Sequence, residues 1–217
     1  MLSEEETAME APKLITDKVY QDLKEKIIFG QYLPGVHLVE AELIEEYSVS
    51  RTTIRAALRQ LIEDEIVVMI PHKGIFVRKL TLKEVQDYYQ IVKNLEGMIA
   101  RQVALSRTAE QVDRLDQILA ADEQAVKDVD FTQHFKNIQI LRRTLVSYTG
   151  NEPLIKIIGK IHMILSIYHS AHPLKERLDI SWQKHKVLLQ AIRDQDADFA
   201  EDTMRSIIQT SLDLFGF

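Results

Sequence analysis

Apolar residues step along the start of the chain at intervals of three and four, and Val19, Leu23, Ile27 and Ile28 line one side of a helix beginning near Leu14. Gly30 and the Pro34-Gly35 pair in "FGQYLPG" punctuate its end. A second, short helix fits "EAELIEEY", Glu40 to Tyr47. Ser48 and Ser50 are suited to cap a third, starting near Arg51, whose inward stripe is Ile54, Leu58, Leu61 and Ile62. After Glu65 the period changes. "IVVMI" (Ile66 to Ile70) and "GIFVRKL" (Gly74 to Leu80) are rich in β-branched and aromatic residues, and "PHKG" between them is a turn signal, which predicts a two-stranded hairpin. Helix, helix, turn, helix, hairpin predicts a winged helix-turn-helix over residues 14–80, preceded by a solvated, flexible tail over residues 1–13.

Beyond Leu80 every strong signal is helical. Val85, Tyr88, Val92, Leu95, Ile99 and Val103 mark one helix; Val112, Leu115, Leu119 and Val126 a second; Phe131, Phe135, Ile138 and Leu145 a third. A nearly continuous apolar helix follows Gly150-Asn151, then one carrying His185, Leu188, Leu189 and Ile192, and a last one from about Ala197. Six helices over residues 81–217 predict an antiparallel bundle with the most apolar helix at its centre. The fold class is therefore mainly α: an N-terminal winged helix-turn-helix followed by an all-α antiparallel helical bundle.

Composition narrows the chemistry. The 217 residues contain no cysteine, which excludes thiolate catalysis, cysteine-based zinc sites and a disulfide scaffold. The opening "MLSEEETAME" is acidic and lacks the apolar core of a secretory signal. The most apolar stretch, "PLIKIIGKIHMILSIY" (Pro153 to Tyr168), is interrupted by Lys156, Lys160 and His162, so it reads as a buried helix and not a membrane span. A cytoplasmic location is expected.

Against an acidic total of 33 Asp+Glu and 27 Lys+Arg, one segment stands out. "SVSRTTIRAALRQL" contains no carboxylate and sets Arg51, Arg55 and Arg59 four residues apart, on a different face from the apolar stripe. A recognition helix needs this division: one face buried in its own domain, the other offered to a DNA groove. Thr52 and Thr53 fall in the first turn, where a helix N-terminus meets phosphate or base edges.

The stretch from Tyr20 to Thr81 resembles the N-terminal domain of the GntR family of bacterial transcription regulators. The matching pieces are "I-x-x-G-x-x-x-P-G-x-x-L", "E-L-x-E-x-x-x-V-S-R-T-x-x-R-x-A-L" and "P-x-K-G-x-F-V". An all-helical partner of this length resembles the FadR-like branch, whose effector domain is called FCD. The resemblance implies a homodimer on a palindromic double-stranded DNA operator, with affinity altered by a small metabolite. By position it implies that Arg51 and Arg55 contact base edges or phosphates, that Thr52 and Thr53 hold the backbone, and that His72, Lys73 and Gly74 enter the minor groove, glycine allowing close approach. Three positions depart from the family: Ala41 where arginine is frequent, Thr53 where proline is common, and Glu65 where glycine is usual.

Asp130 and His134 are four residues apart, so on one helix they share a face, and a histidine from another helix would complete a site for a divalent cation. In metal-binding FCD domains the pattern resembles Asp130, His134 and His185, with the fourth ligand's position taken here by Ile207. Nitrogen and oxygen donors permit zinc, nickel or manganese. His37, His162, His169 and His172 have no comparable spacing and read as structural or surface residues, His162 lying on the apolar helix. The resemblance also sets Lys93, followed by Glu96, where an arginine often stands, so Lys93 is the expected contact for a carboxylate effector.

The expected function is a ligand-responsive transcription regulator. A metal-dependent enzyme centred on Asp130, His134 and His185 is the alternative, but the sequence has no nucleotide loop, nucleophile elbow or H-E-x-x-H to supply the remaining chemistry. A winged helix used only for protein contacts would not need a carboxylate-free arginine face.

Overall fold

The computed structural model describes residues 4–171 and 177–213. They form α1 (Glu4–Ile28), β1 (His37–Leu38), α2 (Glu40–Tyr47), α3 (Arg51–Glu63), β2 (Val67–Ile70), β3 (Gly74–Val77), α4 (Leu82–Ser106), α5 (Ala109–Lys127), α6 (Phe131–Ser147), α7 (Glu152–Ala171), α8 (Arg177–Arg193) and α9 (Ala197–Asp213). Two compact units result. One gathers the described residues up to Leu80 together with those from Met163 to the end of α7; the other holds Thr81–His162 and the described residues from Arg177 onward.

In the first unit, α1 and α3 pack through Leu23, Ile27, Ile54, Leu58 and Leu61, all buried. Ser50 caps α3 by accepting the Thr53 N–H at 3.2 Å. Ser48 ends α2 in the left-handed region at φ 51°. The sheet differs from the expected hairpin. It has three strands in the order β1-β3-β2, all antiparallel, because His37 and Leu38 pair with Phe76 and Ile75 on the far edge of β3. Two residues carry no detectable period, so β1 had no signal of its own. Helix α1 is assigned from Glu4, within the segment expected as a tail over residues 1–13.

The second unit is a bundle in which α4 packs on α9, α8 and α6, while α5 packs on α6 and α8. Val92, Ile99, Val103, Leu115, Leu141, Leu188, Ile192 and Met204 fill it. Thr81 and Glu84 form a capping box at the start of α4, and Thr108 with Gln111 does the same for α5, which fixes where each of these helices begins. Gly97 lets α9 lie close to α4, since a Cβ there would meet Arg205 Cγ at 3.0 Å. The apolar helix expected at the bundle's centre is α7. Its residues from Met163 belong instead to the first unit, where Ile167 joins the core. A continuous apolar run demands burial but does not say in which core.

Candidate nucleic-acid interface and a buried polar cluster

Helix α3 turns Ile54, Ala57, Leu58 and Leu61 inward and leaves Arg51, Thr52, Arg55 and Arg59 exposed, with Thr53 half-buried at the first turn. The division expected of a recognition helix is present. Space adds what the linear pattern missed. Glu40, the first residue of α2, places its Oε1 and Oε2 3.1 and 3.0 Å from Arg55 Nε. The arginine face is free of carboxylates along α3 but not in three dimensions, and this corrects the expectation of a carboxylate-free face. The partner comes from another helix, 15 residues earlier, where no α3 periodicity can reveal it.

The wing tip is the β2–β3 turn. His72 and Lys73 are exposed there, and His72 adopts φ 63°. Gly74 has φ 109°, and a Cβ on it would stand 2.4 Å from His37 Nε2. The His37 ring stacks on Phe76 with centroids 4.7 Å apart, so the glycine makes room inside the protein for β1. Glycine at 74 thus has an internal cause that the sequence reading, which assigned it to close approach to DNA, did not contain. Glu65, where the family has glycine, sits at φ 60°, a left-handed position that explains the family's preference. Its carboxylate accepts from Arg78 Nη1 at 2.9 Å.

In the second unit a buried polar cluster runs through α4, α5, α6, α7 and α8. His134 Nδ1 donates to the Asp122 carboxylate, whose oxygens lie 3.0 and 2.9 Å away, and Asn137 donates to the same Asp122 at 3.2 Å. His134 Nε2 lies 3.2 Å from Ser181 Oγ. His185 Nδ1 donates to the Ser181 carbonyl at 2.7 Å, which leaves its buried Nε2 without a partner among the described residues. Glu96 is fully enclosed, with His162 Nε2 2.5 Å and Arg142 Nε 3.7 Å from its Oε1. Burial alone would raise the Glu96 carboxyl, but Arg142 and His162 outweigh it and hold it below the usual carboxylate range. Burial, then the charge of Arg142, pushes His185 down to about 4, so its imidazole is neutral.

The expected metal ligands are not brought together. Asp130 is exposed and caps α6, accepting the Gln133 N–H at 2.9 Å, whereas His134 and His185 are 5% and 1% exposed. Asp130 precedes the first helical residue, so it does not share the face of His134. Among the described residues no group of three or more His, Asp or Glu side chains is arranged to hold a metal ion. Ile207, at the position of the missing fourth ligand, is buried and apolar. As a metal centre the set does not fit. Lys93 donates to Gln209 Oε1 of α9 at 2.9 Å. His162, read from the sequence as a structural or surface residue, pairs with Glu96 in the cluster. Asp122, Arg142 and Ser181 were not legible as site residues, because each comes from a different helix and carries no motif.

A winged helix with an exposed arginine face, followed in the chain by an all-helical unit enclosing a polar cluster, has the plan of a DNA-binding transcription regulator. Comparison with known proteins gives the same answer. Residues 15–77 match the bacterial regulatory proteins of the gntR family, and residues 87–210 match the FCD domain. The galactonate operon transcriptional repressor of Escherichia coli (strain K12) is 28% identical over 90% of this chain and 94% of its own length. The HTH-type transcriptional repressor RspR of the same organism is 22% identical over 94% and 90%. Among solved structures, E. coli McbR/YncC superposes with a TM-score of 0.82 at 20% identity, over 92% of this chain and 96% of that one. The chain belongs to the gntR family of bacterial transcription regulators and carries an FCD domain. It is not an enzyme.

Proposed function

We propose that the chain is a ligand-responsive regulator that acts as a homodimer on a palindromic operator. In this reading α3 enters the major groove with Arg51, Arg55 and Arg59, Thr52 and Thr53 hold the phosphates at its N-terminus, and the wing with His72 and Lys73 reaches the adjacent minor groove. The observation that carries it is the exposed, Ser50-capped arginine face of α3 beside a paired wing. Along α4, Ile91, Met98 and Leu105 are exposed at seven-residue intervals on a helix whose other face is buried, which supports pairing with a second copy. The relatives matched include repressors of the galactonate operon and, in Bacillus licheniformis, of the gluconate operon, which favours a sugar acid or similar carboxylate as the effector, held at the buried cluster. No helix among the described residues is long and apolar enough to cross a membrane, in keeping with action on DNA in the cytoplasm.

Selection of binding sites from random duplex DNA, followed by footprinting, tests this. Inverted half-sites about one helical turn apart are expected. Enrichment of sites without two-fold symmetry would defeat the dimeric reading, and no enrichment would defeat the assignment of α3.

A further inference from the structure

Among the described residues the buried cluster offers a metal ion no uncommitted anionic ligand, and it already holds a cation of its own. Its two enclosed carboxylates are already committed: Asp122 to His134 and Asn137, Glu96 to His162 and Arg142. A divalent ion at the remaining nitrogen atoms, His134 Nε2 and His185 Nε2, would therefore find no anionic ligand left for it. It would also share the cluster with the positive charge of Arg142, which adds to burial in lowering the basicity of His185. Arg142 meanwhile stands two helical turns beyond His134 on α6, with a side chain only 12% exposed and an Nε that makes no hydrogen bond among the described residues.

We propose that Arg142 is the resident cation of this cluster, supplying from the chain the positive charge a metal would otherwise bring, and that the cluster takes a small hydroxylated carboxylate without any metal. The inference rests on the reading that the helical unit receives an effector. Each half of the ligand has a named partner. A guanidinium of fixed charge suits a carboxylate, which it can meet through two parallel N–H donors. His185 Nε2 is a bare lone pair, because Nδ1 carries the proton that goes to the Ser181 carbonyl. A buried acceptor of this kind calls for a donor, and a hydroxyl on the ligand provides it. The carboxylate of Asp122 fixes His134 in the same tautomer, so its Nε2 is a second acceptor, now met by Ser181. The histidines then read the ligand's hydroxyl groups instead of ligating a cation.

The test uses chelator-stripped full-length protein, followed by thermal melting and calorimetry, with the sole tryptophan, Trp182, next to Ser181 on α8, as a fluorescence reporter. The probes are zinc, nickel and manganese salts alone and, separately, glycolate, acetate and inorganic phosphate at millimolar concentration. Glycolate should raise the melting temperature and bind at least about tenfold more tightly than acetate, in line with one added hydrogen bond to a buried acceptor. No metal should bind at one equivalent per chain. Arg142→Met should abolish the glycolate effect, Arg142→Lys should restore part of it, and His185→Phe should bring glycolate down to the level of acetate. Should Arg142→Met fail to fold, the Lys and His185→Phe variants decide the matter alone. The proposal is overturned by stoichiometric metal uptake that His185→Phe removes, by wild-type protein that ignores all three anions, or by a glycolate effect that survives undiminished in the Arg142 variants. Retention of a selected operator fragment, measured on the same samples, separates the two levels: its loss in wild type sinks the regulator reading, whereas an operator-binding protein blind to the anions sinks only the Arg142 assignment.

Discussion

Glu40 and Arg55 form an ion pair across two helices, with both carboxylate oxygens bracketing a single guanidinium nitrogen, Nε. Bracketing Nε aims the outer edge of the guanidinium away from Glu40. The carboxylate also places a negative charge beside a surface that must meet phosphates. Glu40→Gln should therefore have two opposite effects. Binding to random DNA should tighten, by removal of a repulsive charge, while discrimination at the base facing Arg55 should relax because the side chain loses its anchor. Competition binding with matched and mismatched operators reads both. If discrimination and nonspecific affinity are each unchanged, Glu40 has no part in recognition.

Arg55 and Lys73 should differ in kind. Arg55→Ala should cost about 1–3 kcal/mol at its own base and leave other positions readable. Lys73→Ala at the wing should weaken all sequences alike and lower the slope of affinity against salt by about one counter-ion. Binding measured over a salt series on selected and scrambled sites separates them. Identical profiles for the two variants would show that one of the roles is misassigned.

Glu65 holds a left-handed backbone that costs an L-residue roughly 1–2 kcal/mol. Glu65→Ala and Glu65→Gly both lose the bond from Arg78, but only glycine relieves the backbone. The glycine variant should be the more stable of the two by about 1 kcal/mol. Urea unfolding of the pair checks this, and an alanine variant at least as stable would show that the position carries no strain.

The exposed positions on α4 predict an assembly. Met98→Glu or Leu105→Glu places a charge in the proposed seam and should shift the protein towards monomer, with little change in melting of the isolated chain because neither side chain fills the core. Light scattering over a concentration series reads the result. A dimer untouched by both changes would move the interface elsewhere.

His185 makes stability depend on pH. Its folded value of about 4 lies below its ordinary value of 6.5, so the unfolded chain binds the proton more readily between the two. Stability contributed by the neutral, buried imidazole is complete above about pH 6.5 and falls as pH drops towards 4, by roughly 3 kcal/mol at most. The wild type should lose more stability than His185→Phe over this window. Parallel losses would mean that other groups set the acid limit.

What the chain alone made readable depended on the range of the interaction. The winged helix followed from local periods and turn residues, and Ser50 announces α3 by type and place. The two-residue β1 escaped because it exists only through pairing with β3, about 40 residues later. Helix α7 misled because hydrophobicity records that a surface is covered and not by what. The site was legible only in part for a related reason. Arg51, Arg55 and Arg59 share one helix, whereas Asp122, His134, Ser181 and His185 meet only once α5, α6 and α8 have packed, and Arg142 reaches Glu96 only across α6 and α4. Asp130 had the right spacing from His134 and the wrong environment, since a residue that caps a helix from outside points where the first turn needs it.

The His37 ring lying where a side chain on residue 74 would go has a consequence for engineering and for descent. Position 74 is locked twice, by its backbone angle and by the imidazole, whereas position 37 is constrained by that neighbour and by stacking on Phe76. Across a lineage, residue 37 should drift among flat or small side chains while residue 74 stays glycine. A wing grafted from a relative to change sequence preference must then bring its own β1 segment along. Swapping the β2–β3 hairpin alone would set a foreign turn against a ring shaped for this one.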